Sequence, residues 1–270
     1  MADLAWRMTP EKHIKLVTGV LASSVAIEVN LLAGLERLPD AAYHGLHIAL
    51  MAAVVLSQFM LYVSSKGRSP YAGYAGWMAL GMASTAVGDY VNGAMSGVEP
   101  VSLKLTWALL LFGVGYVIYV VMLWRHDREM AAAGQGARGL WRYGLALPVL
   151  VGNLLAWIQH VQPGVQAHTL LCYGSFVFNL TIYVAMPVLA MRYFINSQWH
   201  VGGLVVLIGG VLIPYSDLIL FGSWLRSGVD PAVPSFQLYA YNWIVYFGGQ
   251  ALMAMFPALV MQSEARAKAA

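Results

Sequence analysis

The sequence predicts an all-α polytopic membrane protein: a single eight-span transmembrane domain over residues 1–270, folded as an eight-helix bundle. Three observations predict it. The chain is 60% hydrophobic and only 10% charged, with a mean hydropathy of +0.66, far from the balance of a soluble domain. It divides into eight apolar segments of about 20 residues, each long enough to cross a hydrocarbon core of ~30 Å as a helix. Its basic residues also fall unequally on alternate connections. Only helices or closed barrels satisfy the backbone in lipid, and runs of this length are helical.

In chain order the expected spans are Ile14–Leu35, His44–Val63, Tyr71–Val91, Leu105–Trp124, Tyr143–Val161, His168–Tyr193, Val201–Leu225 and Phe236–Val260. Turn signals separate them: Pro39-Asp40, Gly67 to Pro70, Gly97 to Pro100, Gln162-Pro163-Gly164 and Asp230-Pro231. The first dozen residues are too polar for the apolar core of a cleaved signal peptide, so the first span is expected to be an uncleaved anchor. The stretch Arg125–Arg142 is expected to be a linker between two four-helix halves. The single cysteine, Cys172, excludes an intramolecular disulfide framework.

With eight spans, Arg7, Lys12, Lys15, Lys66, Arg68, Arg125, Arg128, Arg138, Arg142, Arg192, Arg266 and Lys268 share one side. Arg37, Lys104 and Arg226 lie on the other. Positive residues collect on the cytoplasmic side, so both termini are expected there, in an inner membrane if the source is bacterial. The net charge of +3 is too small to point to a nucleic-acid partner. Trp6, Trp124, Trp141, Trp199 and Trp224 fall near span ends, as an interfacial aromatic belt requires. Gly73 and Gly76, Gly113 and Gly115, Gly209 and Gly210, and Gly248 and Gly249 are expected to permit close helix packing.

Ionisable groups inside spans are costly and point to function. Asp217 lies in the seventh span beside Ser216 and three residues after Pro214, whose missing N–H frees the carbonyl of Gly210. Asp89 follows Gly88 in the third. Counted from the cytoplasmic ends at ~1.5 Å per residue, both lie roughly 25 Å deep, in the outer part of the bilayer. Glu28, with Ser24, is a third buried-carboxylate candidate. Polar residues recur on single helix faces: Thr85, Asp89 and Asn92; Tyr239, Asn242, Tyr246 and Gln250; Ser175, Asn179 and Tyr183; Tyr116 and Tyr119. A lone Tyr or Asn in a span is usually an interhelical hydrogen bond. Four on one face of the eighth span point to a polar pocket.

The order Gly88-Asp89, Phe112 to Tyr119, Ser216-Asp217, Tyr246-Phe-Gly-Gly-Gln250 resembles the YhhN-like family of integral-membrane lysoplasmalogenases over roughly Tyr71 to the end of the chain. That family usually has His where this chain has Tyr116, and Ala where it has Gly249. The resemblance implies cleavage of the vinyl-ether bond of a lysophospholipid, giving a fatty aldehyde and glycerophosphoethanolamine or glycerophosphocholine. Asp89 and Asp217 would be the catalytic pair. Tyr116, Tyr119, Ser216, Asn242, Tyr246, Gln250 and Glu28 would position substrate. Protonating a vinyl ether creates an oxocarbenium ion, and paired carboxyls suit such an ion because two in a low dielectric cannot both ionise easily. No metal or organic cofactor is required.

Two other readings remain open on the residues alone. His44, His47, His160 and His168, with Asp89, could build a zinc site for a lipid hydrolase. Buried carboxylates near a broken helix also mark proton- or ion-coupled transporters, although no inverted repeat is visible. A retinal Schiff base is excluded, because every lysine lies at or outside a span end.

Overall fold

The computed structural model describes residues 7–34, 39–94, 101–134, 144, 146–166, 169–226 and 236–269. Apart from turns and short connections these residues are helical, with no strand among them. The helices are α1 (Pro10–Leu32), α2 (Asp40–Ser65), α3 (Ala72–Ala94), α4 (Val101–Ala132), α5 (Ala146–Ala156), α6 (Thr169–Asn179), α7 (Val201–Arg226), α8 (Phe236–Ala254) and α9 (Phe256–Ala269). A π turn, Trp157–Val161, carries α5 on into Gln162–Val165, and another, Leu180–Ala185, carries α6 on into Met186–Asn196.

Six of these runs are long and apolar enough to cross a membrane: Pro10–Leu32, Ala42–Ser65, Thr106–Ala132, Thr169–Asn196, Val201–Ile219 and Tyr239–Lys268. The chain is thus an α-helical protein with the make-up of a multi-pass membrane protein. The third and fifth expected spans are not in that set. Five glycines with Ser84, Thr85 and Asp89 dilute the hydropathy of α3, and the α-helical run of α5 is only 11 residues. The exterior is apolar, with Leu56, Phe59, Trp77, Leu80, Trp107, Val114 and Leu155 exposed, as a lipid-facing surface requires.

The bundle is organised around α8 and α9. In Tyr239–Lys268, 83% of the most apolar window is buried, against 22% in α1. The neighbours of α8 are α7 and α1, while α4 packs along α3 and α3 along α2. Pro257 lacks an N–H, and the helix is interrupted at Met255. There the Ala254 carbonyl accepts from His13 Nε2 and Gln58 Nε2, both at 3.0 Å. Since Nε2 donates, the neutral His13 ring uses Nδ1 to accept from the Ser57 hydroxyl at 2.7 Å. At this same end α1 begins on Thr9, whose hydroxyl accepts from Lys12 N, with Pro10 in the first turn.

Glycine sets two close crossings. A Cβ on Gly115 of α4 would lie 2.6 Å from the Gly81 carbonyl oxygen of α3 and 2.5 Å from Thr85 Cγ2. A Cβ on Gly249 of α8 would lie 2.9 Å from the backbone nitrogen of Ile213 in α7. Gly209 and Gly210 face Met253 and Ala190 in the same manner, so four of the eight expected packing glycines hold a tight contact. Gly73 has no neighbour within 4 Å, and Gly113 and Gly248 meet only ordinary contacts. Gly76 is intermediate, 3.3 Å from the Tyr62 ring.

Two stretches are more helical than their sequences suggest. The proposed linker from Arg125 is helical as far as Ala132. An i,i+4 pair joins Arg125 to Glu129 at 2.9 Å, and Asp127 accepts from Arg192 Nε at 2.9 Å and Asn196 Nδ2 at 3.2 Å, tying the helix extension to α6. Arg138 and Arg142 lie outside the described residues. Nor does Pro214 open α7, which runs unbroken from Val201 to Arg226. The Ser216 hydroxyl donates back to the Ile213 carbonyl at 2.9 Å and is spent on its own helix.

Candidate active site

Asp89 of α3 and Asp217 of α7 line one pocket, with Phe112 of α4 and Tyr239, Asn242, Trp243 and Tyr246 of α8. The pocket's volume is about 20 Å³, room for water but not for a lipid chain. The two carboxyls thus face one small space from two different helices. The local sequence explains this placement. Gly88 admits the Phe112 ring, since a Cβ there would lie 3.2 Å from it, so α4 seats against the turn of α3 that carries Asp89. The Gly249–Ile213 approach brings α7 against α8, one turn from Asp217 on one helix and from Tyr246 on the other.

Tyr246 donates its hydroxyl to Asp89 Oδ2 at 2.9 Å. Asp217 is 5% exposed and its Oδ2 has no hydrogen-bond partner. The Tyr116 phenol lies beside Asp217 without completing a hydrogen bond, and it is wholly buried. Asn242 Oδ1, also on the pocket, is likewise unpartnered. Buried polar atoms are almost always satisfied, so the two orphans on the pocket's lining, Asp217 Oδ2 and Asn242 Oδ1, mark a place built to meet polar atoms that the protein does not supply. One turn further into the bundle, Tyr119 donates to Gln250 Oε1 at 2.7 Å, leaving Gln250 Nε2 without a partner.

The eighth-span stripe therefore does face one site: Tyr239, Asn242 and Tyr246 line the pocket and Gln250 stands below it. Of the third-span stripe, Asp89 reaches the pocket and Thr85 bonds back to the Met82 carbonyl, while the Asn92 side chain lies outside the described residues. Ser175 accepts from Trp157 Nε1 at 3.3 Å, an ordinary interhelical bond.

Glu28 sits elsewhere. Its Oε2 accepts from Tyr43 at 2.7 Å and its Oε1 from His47 Nε2 at 2.7 Å, with Glu28 and His47 almost fully buried. The His47 ring stacks on Trp243 at 3.7 Å with 5° between planes, and Trp243 Nε1 donates to Ser24 Oγ at 3.2 Å. Glu28 is thus one layer behind the pocket, separated from it by Trp243. Trp243 itself went unread in the sequence, hidden among the aromatics of an apolar span, although it is one turn from Tyr239 and adjacent to Asn242.

The histidines do not assemble. His47 is engaged with Glu28, His160 is exposed and His168 lies outside the described residues. Among the described residues no group of three His, Cys, Asp or Glu side chains could hold a metal ion. Compared with known proteins, the chain matches no family model, and no curated protein or solved structure matches it either.

Proposed function

We propose that this chain is an eight-span membrane hydrolase of the lysoplasmalogenase type, with α3 and the composite α5 as the two further spans and both termini cytoplasmic. The observation that carries this reading is the shared pocket of Asp89 and Asp217, with Tyr246 on one carboxyl and unpartnered polar atoms around the other. At ~1.5 Å per residue, the 23 residues of α3 extend about 34 Å, enough to span.

Asp217, with a free oxygen, delivers a proton to the vinyl carbon remote from the ether oxygen, and the C=C electron pair forms the new C–H bond. The oxocarbenium ion left behind is attacked by water, whose proton passes to the Asp89 carboxylate, held as an acceptor by Tyr246. The hemiacetal then breaks its bond to the glycerol oxygen. That oxygen takes the proton from Asp89, and the hemiacetal hydroxyl returns one to Asp217. The products are a fatty aldehyde and the glycerophospho headgroup, and both carboxyls are restored. Because the pocket holds only water-sized space, substrate entry requires the Phe112 and Tyr239 rings, or their helices, to give way.

The test is product analysis on the purified chain with lysoplasmenylethanolamine and its alkyl and acyl counterparts. Aldehyde is expected from the vinyl ether alone, and it is expected to vanish in Asp89→Asn and in Asp217→Asn while both variants keep their thermal unfolding. Fatty acid from the acyl lipid, or turnover retained in both variants, overturns the proposal.

A further inference from the structure

A second cavity lies at the opposite end of the bundle, where α1 begins and α9 ends. Along α7, from Val201 to Asp217, it is about 24 Å from the aspartate pocket. Its volume is about 660 Å³, within the range of small-molecule sites. It is walled by the ends of α4, α6 and α9 and the start of α7, with His126, Glu129, His200, Glu264, Arg266 and Lys268 on its lining.

Hydrogen-bond bookkeeping in this cavity does not close. His200 Nδ1 accepts the Gly202 N–H at 3.1 Å. A ring nitrogen that accepts carries no hydrogen, so the proton of the neutral ring is on Nε2. That Nε2 lies 3.3 Å from Arg266 Nη1, and a guanidinium has only donors. Two N–H groups therefore face each other at the exposed rim of the cavity, where one ligand acceptor could take both in place of water. The cavity's other charges are committed: Lys268 pairs with Glu264 at 2.6 Å, and Glu129 is held by Tyr74 at 2.7 Å and Arg125 at 2.9 Å. Among the described residues no carboxylate pairs with Arg266. A second orphan stands on the same lining, His126 Nδ1, on a side chain 8% exposed. His200, the fixed member of the pair, is presented by a tight turn. Gln198 and Trp199 adopt φ of 54° and 61°, a left-handed pair that turns the chain from α6 into α7, and Gly203 packs beneath the turn where a Cβ would strike Ser197.

We infer that this cavity is an anion site whose ligand presents a phosphate group to Arg266 and His200. A phosphate supplies several acceptor oxygens and the negative charge that Arg266 lacks. The same chemistry comes from an anionic phospholipid headgroup or from a soluble phosphate ester. The site is independent of the aspartate pocket and of the reaction assigned to it.

The full chain in phosphatidylcholine nanodiscs, with and without 10% phosphatidate, is analysed by native mass spectrometry for retained lipid. Glycerol 3-phosphate is titrated calorimetrically in parallel. Arg266→Gln and His200→Gln are compared with Lys15→Gln, an exposed cation paired with Glu11. One retained phosphatidate, weakened about tenfold or more in the first two variants and unchanged in the third, supports a lipid ligand. Glycerol 3-phosphate binding with that same variant pattern supports a soluble one. Binding of neither probe, or binding unaltered by Arg266→Gln, overturns the inference.

Discussion

Replacing His47 with Leu tests how the wall behind the aspartate pocket is held. His47 and Glu28 are 2% and 1% exposed and are joined at 2.7 Å, so the substitution strands Glu28 with Tyr43 as its remaining hydrogen-bond donor. Losing the His47 hydrogen bond to the buried Glu28 side chain costs about 1.5–3 kcal/mol. Loss of the 3.7 Å stack on Trp243 adds about 0.5–1.5 kcal/mol. For a chain of this size each kcal/mol moves Tm by about 2–4 °C, so the variant should unfold on the order of 5–15 °C lower. A second change, Glu28→Gln in the same background, removes the stranded charge and should recover more than half of that loss. Thermal unfolding in detergent, followed by tryptophan fluorescence, reads both. A shift below about 3 °C in the single variant, or a double variant less stable than the single, refutes the reasoning.

Tyr246→Phe keeps the ring and removes the donor to Asp89. A hydrogen bond to a charged group contributes about 1.5–3 kcal/mol, so aldehyde release should fall by roughly 10- to 100-fold without loss of fold, as turnover assays with the vinyl-ether lipid would measure. Gly115→Ala drives a methyl into the Gly81 carbonyl and Thr85 and should destabilise by about 1–3 kcal/mol. By contrast, Gly19→Ala, which meets nothing within 4 Å in α1, should raise stability by about 0.5–1 kcal/mol; melts of the two variants should move in opposite directions.

How far the site was legible depended on the kind of signal each residue left. The 3.6-residue period put Tyr239, Asn242, Tyr246 and Gln250 on one face, and that face meets one site because a continuous helix can present it no other way. Depth counting brought Asp89 and Asp217 to the same level, and they line one pocket. What counting along single helices does not supply is which helix faces which. Glu28 shares the chemistry of the aspartates, yet its partner is His47 on the adjacent α2, a pairing set by the rotation of two helices about their axes. Pro214 left a kink and a locally opened helix equally open because its missing N–H is a local fact, while the packing of Gly209 and Gly210 against α8 and α6, which accompanies an unbroken helix, is a tertiary one. The reach of α4 past Trp124 was missed for a similar reason. Charged residues after an apolar run read as a loop, and the partners that make them helical, Arg192 and Asn196, come about 65 residues later.

The clasp on Ala254 has a consequence for how the chain is made. His13 and the carbonyl it holds are 241 residues apart, and Tyr246 stands 157 residues from the Asp89 it serves. At about 5–20 residues per second, α1 waits on the order of tens of seconds for the helix it secures. From the moment Asp89 is made, His13, Gln58 and Asp89 all await partners on α8 that have yet to be synthesised. The site therefore comes together only once α8 has been made, and no N-terminal fragment that stops before α8 contains it.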